Sequence, residues 1–124
     1  NLKTDLPGPY PLTLSRNRIT REDAPTQYIR PQHRLLHYPN TINKADWDNW
    51  VQERGLYYAR QWDDRYQTVI SHQEFEEKQQ ESGILYAPYG KGHYIYTSLA
   101  FFRQLPDGNA GAIKLFMNML SVGK

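Results

Sequence analysis

One segment restricts the choice of fold more than any other. From Ala110 to Val122 the sequence AGAIKLFMNMLSV holds Ile113, Leu115, Phe116, Met117, Met119 and Leu120, while polar Lys114, Asn118 and Ser121 recur at i, i+4 and i+7. That spacing predicts a helix with one narrow polar stripe, capped by Asn109 and stopped at Gly123. A helix apolar around most of its circumference needs cover on most sides. The rest of the chain is poorly supplied for the task, with 39% hydrophobic residues over 124 positions and a mean hydropathy of −0.82. Ten Tyr, four Phe and three Trp must therefore supply much of the buried surface that aliphatic residues usually give. The expectation is that the helix packs between a sheet and a neighbouring element, or helps to form an interface outside these residues.

The length suits one domain. Fifteen Lys and Arg against thirteen Asp and Glu leave a net charge of +2, too weak a field for a dedicated nucleic-acid binder. No apolar run approaches the roughly 20 residues of a membrane span, so neither nucleic acid nor membrane is expected as a partner. Cysteine is absent, which removes a thiol nucleophile, thiolate metal ligands and disulfides. The chain opens without Met in Pro7-Gly8-Pro9-Tyr10-Pro11. Residues 1–11 are accordingly expected to form an extended linker, and 12–124 a single domain belonging to a longer protein.

Along that domain, Leu12–Ile19 alternates imperfectly and suits a strand. Pro25, Pro31 and Pro39 break periodicity between Thr20 and Asn40, leaving short extended pieces at Thr26–Arg30 and Arg34–His37. Asn43 is placed to cap a short helix ending at Gly55, with Trp47, Trp50 and Val51 on its inward face. Leu56–Tyr58 and Tyr66–Ser71 read as strands, with Gln61-Trp62-Asp63-Asp64 as the loop between them. His72–Ser82 has no apolar face and reads as a solvated loop or a marginal helix. The clearest local signal is a hairpin, Ile84–Tyr89 and His93–Ser98 around Gly90-Lys91-Gly92, with Pro88 marking an edge or bulge. Leu105-Pro106-Asp107-Gly108 is a turn. The fold class expected is α+β: a small mixed sheet built around the hairpin, with the C-terminal helix packed on it.

The chemistry-bearing residues form no strong constellation. His33 and His37 have the spacing of two ligands on a helix, but Pro31 and Pro39 argue against a helix there, and no metal site is expected. Asp46 and Asp48 would face different sides of a helix, which rules against an acid–base dyad. No G-x-S-x-G elbow, P-loop or G-x-G-x-x-G occurs, so no cofactor is expected. Lys91–Tyr96 departs from the basic-glycine-aromatic strand of RNA-recognition modules. Four residues remain as candidate binding contacts. Trp62 is a platform for a sugar ring, His93 flanks the hairpin turn, and Arg54 and Arg103 sit at the ends of apolar elements, where a guanidinium can meet a carboxylate or hydroxyls. The alternatives are a self-contained hydrolase pairing His93 with Asp63 or Asp64, and a purely structural docking module.

Three stretches, PNTI (39–42) with DWDNWVQERG (46–55), YGKGHYIY (89–96) and FFRQLPDGNAGAIKLFMN (101–118), resemble the C-terminal region of bacterial PIG-L-type (N-acetylglucosaminyl) deacetylase proteins. That region in turn is similar to the second half of a class I glutamine-amidotransferase-like domain, in which a glycine-turned hairpin and a final helix complete a flavodoxin-like sheet. The resemblance spans most of Pro9–Val122. It departs at the start of the last helix, where Asn109-Ala110-Gly111-Ala112 stands in place of Val-Pro-Gly-Ala. The deacetylase zinc segments of A-H-P-D-D-E and H-x-x-H type do not occur here, and neither does the amidotransferase Cys. The resemblance therefore implies a non-catalytic accessory domain of an exported glycan-processing protein. Its implied partners are the deacetylase domain of the same parent chain, a glycan, or a second copy.

Overall fold

The computed structural model describes residues 8–19, 24–51, 54–73 and 80–123. Nine short strands and two α-helices occur among them: β1 (Leu12–Leu14), β2 (Arg18–Ile19), β3 (Thr26–Tyr28), β4 (Gly55–Leu56), β5 (Ala59–Trp62), β6 (Gln67–Thr68), β7 (Ile70–His72), β8 (Ile84–Tyr89), β9 (Gly92–Thr97), α1 (Phe101–Gln104) and α2 (Ala110–Leu120). Two 3-10 turns, Arg34–Leu36 and Lys44–Trp47, lie between β3 and β4. The strands pair as β1-β5, β2-β4, β3-β7 and β6-β8-β9. Every described pairing is antiparallel. The domain is thus a small α+β arrangement of strands and helices.

The expected hairpin forms, but its turn is one residue shorter than Gly90-Lys91-Gly92, because Gly92 joins the returning strand. Tyr89 pairs with Gly92, so the turn is Gly90-Lys91, and Gly90 takes the φ of +57° that a side chain would resist. Its alternate side chains enter two different cores. Ile84, Tyr86 and Ile95 join Leu115, Phe116, Met119 and Val122 beneath α2. Leu85, Ala87, Tyr94 and Tyr96 join Leu12, Ala59, Tyr66 and Trp62 on the opposite side. A hairpin covered on both faces shows no simple apolar-polar alternation. Pro88 lies beyond the stretch where β6 pairs with β8, so its missing N–H costs no ladder bond.

Helix α2 is capped as expected, the Asn109 side chain accepting from the Ala112 N–H at 3.0 Å. Its orientation is the unexpected part. The polar stripe faces inward: Lys114 pairs with Asp46 at 3.1 Å, and the fully buried Asn118 amide donates to the carbonyls of Leu35 (2.9 Å) and Asn40 (2.7 Å) while accepting from the Asn40 N–H (2.9 Å). Ile113, Met117 and Leu120 are 42%, 46% and 59% exposed and form an outward apolar stripe. Gly111 makes this docking possible, because a Cβ there would lie 1.7 Å from the Asp46 carbonyl oxygen.

Several local expectations change for identifiable reasons. The strand expected over Leu12–Ile19 splits at Ser15, whose hydroxyl donates to the Tyr58 carbonyl (2.7 Å) and accepts from the Asn17 N–H (3.1 Å), folding the chain back. The extended piece expected at Arg34–His37 is a 3-10 turn, because the His33 imidazole caps it by accepting from the Leu35 N–H. The helix expected from Lys44 to Gly55 stops at Trp47. The Asp46 carbonyl, which a continuing helix would use for the Trp50 N–H, instead accepts from the Trp50 indole at 3.0 Å. The expected strand Leu56–Tyr58 is broken at Tyr57, with φ +56°, and β5 begins after it. Of the expected loop His72–Ser82, residues 74–79 lie outside the described residues. Of the expected linker, residues 1–7 do too, while Gly8–Pro11 lies against the tyrosines of the second core, with Tyr66 donating to the Tyr10 carbonyl at 2.8 Å.

Candidate functional site

Stopping the second 3-10 turn at Trp47 opens a cleft. The chain turns away at Asp48 and passes through Asn49 at φ +64°, in the left-handed region that asparagine takes more readily than most residues. Trp50 then folds back to stack on Trp47, ring centroids 5.2 Å apart. Strand β3 forms the facing wall. The cavity between them measures about 1000 Å³ and is bordered by Pro25, Thr26, Gln27 and Tyr28 on one side and Lys44, Trp47, Asp48, Asn49 and Trp50 on the other, with Ala24, Pro31 and Arg54 completing it. Its volume is that of a ligand pocket, at the upper end of the usual range.

The walls are held by polar groups with defined partners. The Tyr28 hydroxyl donates to the Ile42 carbonyl and accepts from the Trp47 indole, both at 3.1 Å. Burial raises its pKa, and the charge of Asp46 adds to the rise. Arg54, 4% exposed, donates from Nε to the Ala24 carbonyl at 3.2 Å and from Nη1 to the Trp47 carbonyl. Its guanidinium carbon stands 5.8 Å from the ring centroids of both Trp47 and Trp50. A buried cation bonded in this way braces the cleft. Behind Trp47 lies His72, fully buried, its ring edge-on at 5.4 Å and its Nδ1 hydrogen-bonded to the Tyr58 hydroxyl at 3.2 Å. The Nε2 atom has no hydrogen-bond partner among the described residues. Burial, with the charge of Arg54 adding to it, pushes the His72 pKa down to about 3, so the imidazole is neutral.

The four candidate contacts do not converge. Arg54 borders the cleft, but as a buried brace. Trp62, expected in a loop as an open platform, instead ends β5 opposite Leu12 and packs half-buried on the second core. His93 is exposed beside the hairpin turn, with Nδ1 hydrogen-bonded to the Tyr86 hydroxyl at 2.5 Å. Arg103 lies on α1 with its guanidinium 4.9 Å from the Phe102 ring centroid. Of the two carboxylates considered as partners for His93, Asp63 is engaged by Arg65, accepting from its Nε at 2.8 Å and its Nη2 at 3.0 Å, and these bonds hold its pKa at about 2. His33 is engaged at both nitrogens, by the Leu35 N–H and by Gln67 Oε1 at 3.0 Å. Burial first, and the charge of Arg30 in addition, lower its pKa.

The cleft escaped the sequence reading because its aromatics read correctly as core. Trp47 and Trp50 border the cleft but are only 5% and 1% exposed. The available signal was Asn49, an asparagine after two tryptophan-flanking aspartates, suited to a left-handed turn that would end the helix early. Fold and site together define a class only, a small α+β domain with a mixed aromatic and amide-bordered cleft. Comparison of the chain with protein-family models, with curated proteins and with solved structures finds no match.

Proposed function

We propose that the chain is a non-catalytic accessory domain of a larger, exported PIG-L-type carbohydrate deacetylase, seated on the deacetylase domain of the same parent chain through the outward face of α2. The orientation of that helix carries the reading. Lys114 and Asn118 are engaged by residues of the same domain, and Ile113, Met117 and Leu120, at i, i+4 and i+7, are left in solvent. An apolar row on one helix is the pattern by which a helix seats in a partner's groove. The amidotransferase-like ancestry belongs to the same proposal, supported by a glycine-turned hairpin followed by a terminal helix packed on it.

Methionine footprinting tests the docking. The chain has two methionines, Met117 on the outward stripe and Met119 packed against the core. Peroxide is expected to oxidise Met117 readily in the isolated chain and slowly in the full-length parent protein. Equal rates in both would refute the docking.

A second reading, glycan recognition, is favoured by the cleft. Gln27, Lys44, Asp48 and Asn49 are exposed at its border and offer donors and acceptors suited to sugar hydroxyls. The exposed apolar surface of Pro25 and Pro31 suits the C–H faces of a sugar ring.

A further inference from the structure

We infer that the cleft takes a short oligosaccharide and not a single sugar, an inference that rests on the glycan reading above. Three observations carry it. First, a space of about 1000 Å³ is at the top of the range for pockets that enclose drug-sized ligands, so one pyranose would leave most of the walls uncovered. Second, neither tryptophan offers much of a face. Trp47 and Trp50 stack on each other and are 5% and 1% exposed, so little of either ring is open to a ligand. The Tyr28 hydroxyl is already engaged by Ile42 and Trp47. The two indoles thus leave little ring face for stacking, the contact that lets a site hold a single sugar. Third, the exposed polar groups are spread over two walls, Gln27 on β3 and Lys44, Asp48 and Asn49 on the opposite segment. Each hydrogen bond formed with a water-competing hydroxyl contributes little net free energy, and association itself carries a fixed cost in lost translational and rotational freedom. Affinity must then accumulate over several weak contacts along a longer ligand. Lys44 and Asp48 carry opposite charges, which suits a neutral polyhydroxylated chain.

Isothermal titration of the chain with β-1,4-linked glucose and N-acetylglucosamine series, one to five units long, separates the outcomes. At least one series is expected to tighten by about tenfold between one and three units, equivalent to about 1.4 kcal/mol, and then level off as the cleft fills. A single sugar binding as tightly as its pentamer would overturn the oligosaccharide inference while leaving glycan recognition standing. No heat from any member at millimolar concentration would overturn both. Asn49→Gly removes the amide while retaining a residue suited to positive φ, and Lys44→Gln removes the border charge. Each is expected to weaken the pentamer severalfold with the thermal midpoint unchanged. Full pentamer affinity in both variants would overturn the assignment to this cleft.

Discussion

The β8–β9 hairpin and the Asn43–Val51 segment both carry aromatic residues, and they are held by opposite means. In the hairpin each residue from Ile84 to Tyr89 has a partner on the returning strand, and the turn between them is two residues long. In the Asn43–Val51 segment the regular ladder ends after Trp47, and side chains from outside it satisfy several backbone groups. Gln104 accepts from the Val51 N–H at 2.8 Å and donates to the Val51 carbonyl at 2.9 Å. The Asn109 amide donates to the Asp48 carbonyl at 3.0 Å, and Arg54 bonds the Trp47 carbonyl. Buried backbone groups must find partners. Where a local ladder provides them, the result is a regular strand; where only remote side chains do, it is an irregular wall that can border a cleft.

The contrast is most exposed at two glycines. Gly111→Ala should bring the largest loss, because its Cβ would overlap the Asp46 carbonyl oxygen and force α2 off the Asn43–Val51 segment. A loss of about 3 kcal/mol or more in urea unfolding is expected; a neutral result would mean that α2 does not dock there. Next comes Asn118→Ala, which strands the carbonyls of Leu35 and Asn40 and the Asn40 N–H. About 2–4 kcal/mol should be lost, read as a shift in the denaturation midpoint without a change in slope.

Acidification probes the same wall through His72. The folded pKa, about 3, lies below the unfolded value of about 6.5, so the unfolded chain binds the extra proton. Stability is therefore complete above pH 6.5 and declines as pH falls toward 3, by at most about 1.4 kcal/mol per pH unit. A His72→Leu variant should show a shallower limb between pH 6.5 and 5, the remainder coming from His33, whose pKa burial also lowers; an unchanged slope there would show that His72 is not buried neutral. The smallest effect belongs to the hairpin. Gly90→Ala meets nothing within 4 Å and bears only the left-handed backbone penalty of about 1 kcal/mol, measurable as a few degrees in the thermal midpoint.

How legible each region was follows from the range of its interactions. The hairpin, the Asn109 cap, the turn at Pro106-Asp107 and the body of α2 depend on neighbours a few residues away, and the sequence announces them. The direction α2 faces was not legible, because a mostly apolar helix with a narrow polar stripe normally turns that stripe to water. Here Asn118 and Lys114 meet carbonyls and a carboxylate contributed by residues 35–46, 68 to 83 positions away. The cleft was hidden for a related reason. Trp47 and Trp50 have helical spacing, and only the Gly111 contact and the indole bond to the Asp46 carbonyl reveal that the helix cannot continue.

By itself the amino-acid order determined the α+β character, the hairpin and its glycine turn, the extent of the last helix, and an apolar content on that helix beyond what its own domain covers. Tertiary structure alone decided which side of the helix is left in solvent, where the Trp47 turn ends and that a cleft opens beside it. The physical reason is that hydrogen bonds between near neighbours are encoded in short patterns. The satisfaction of a backbone carbonyl by a side chain dozens of residues away depends on geometry that no local pattern contains.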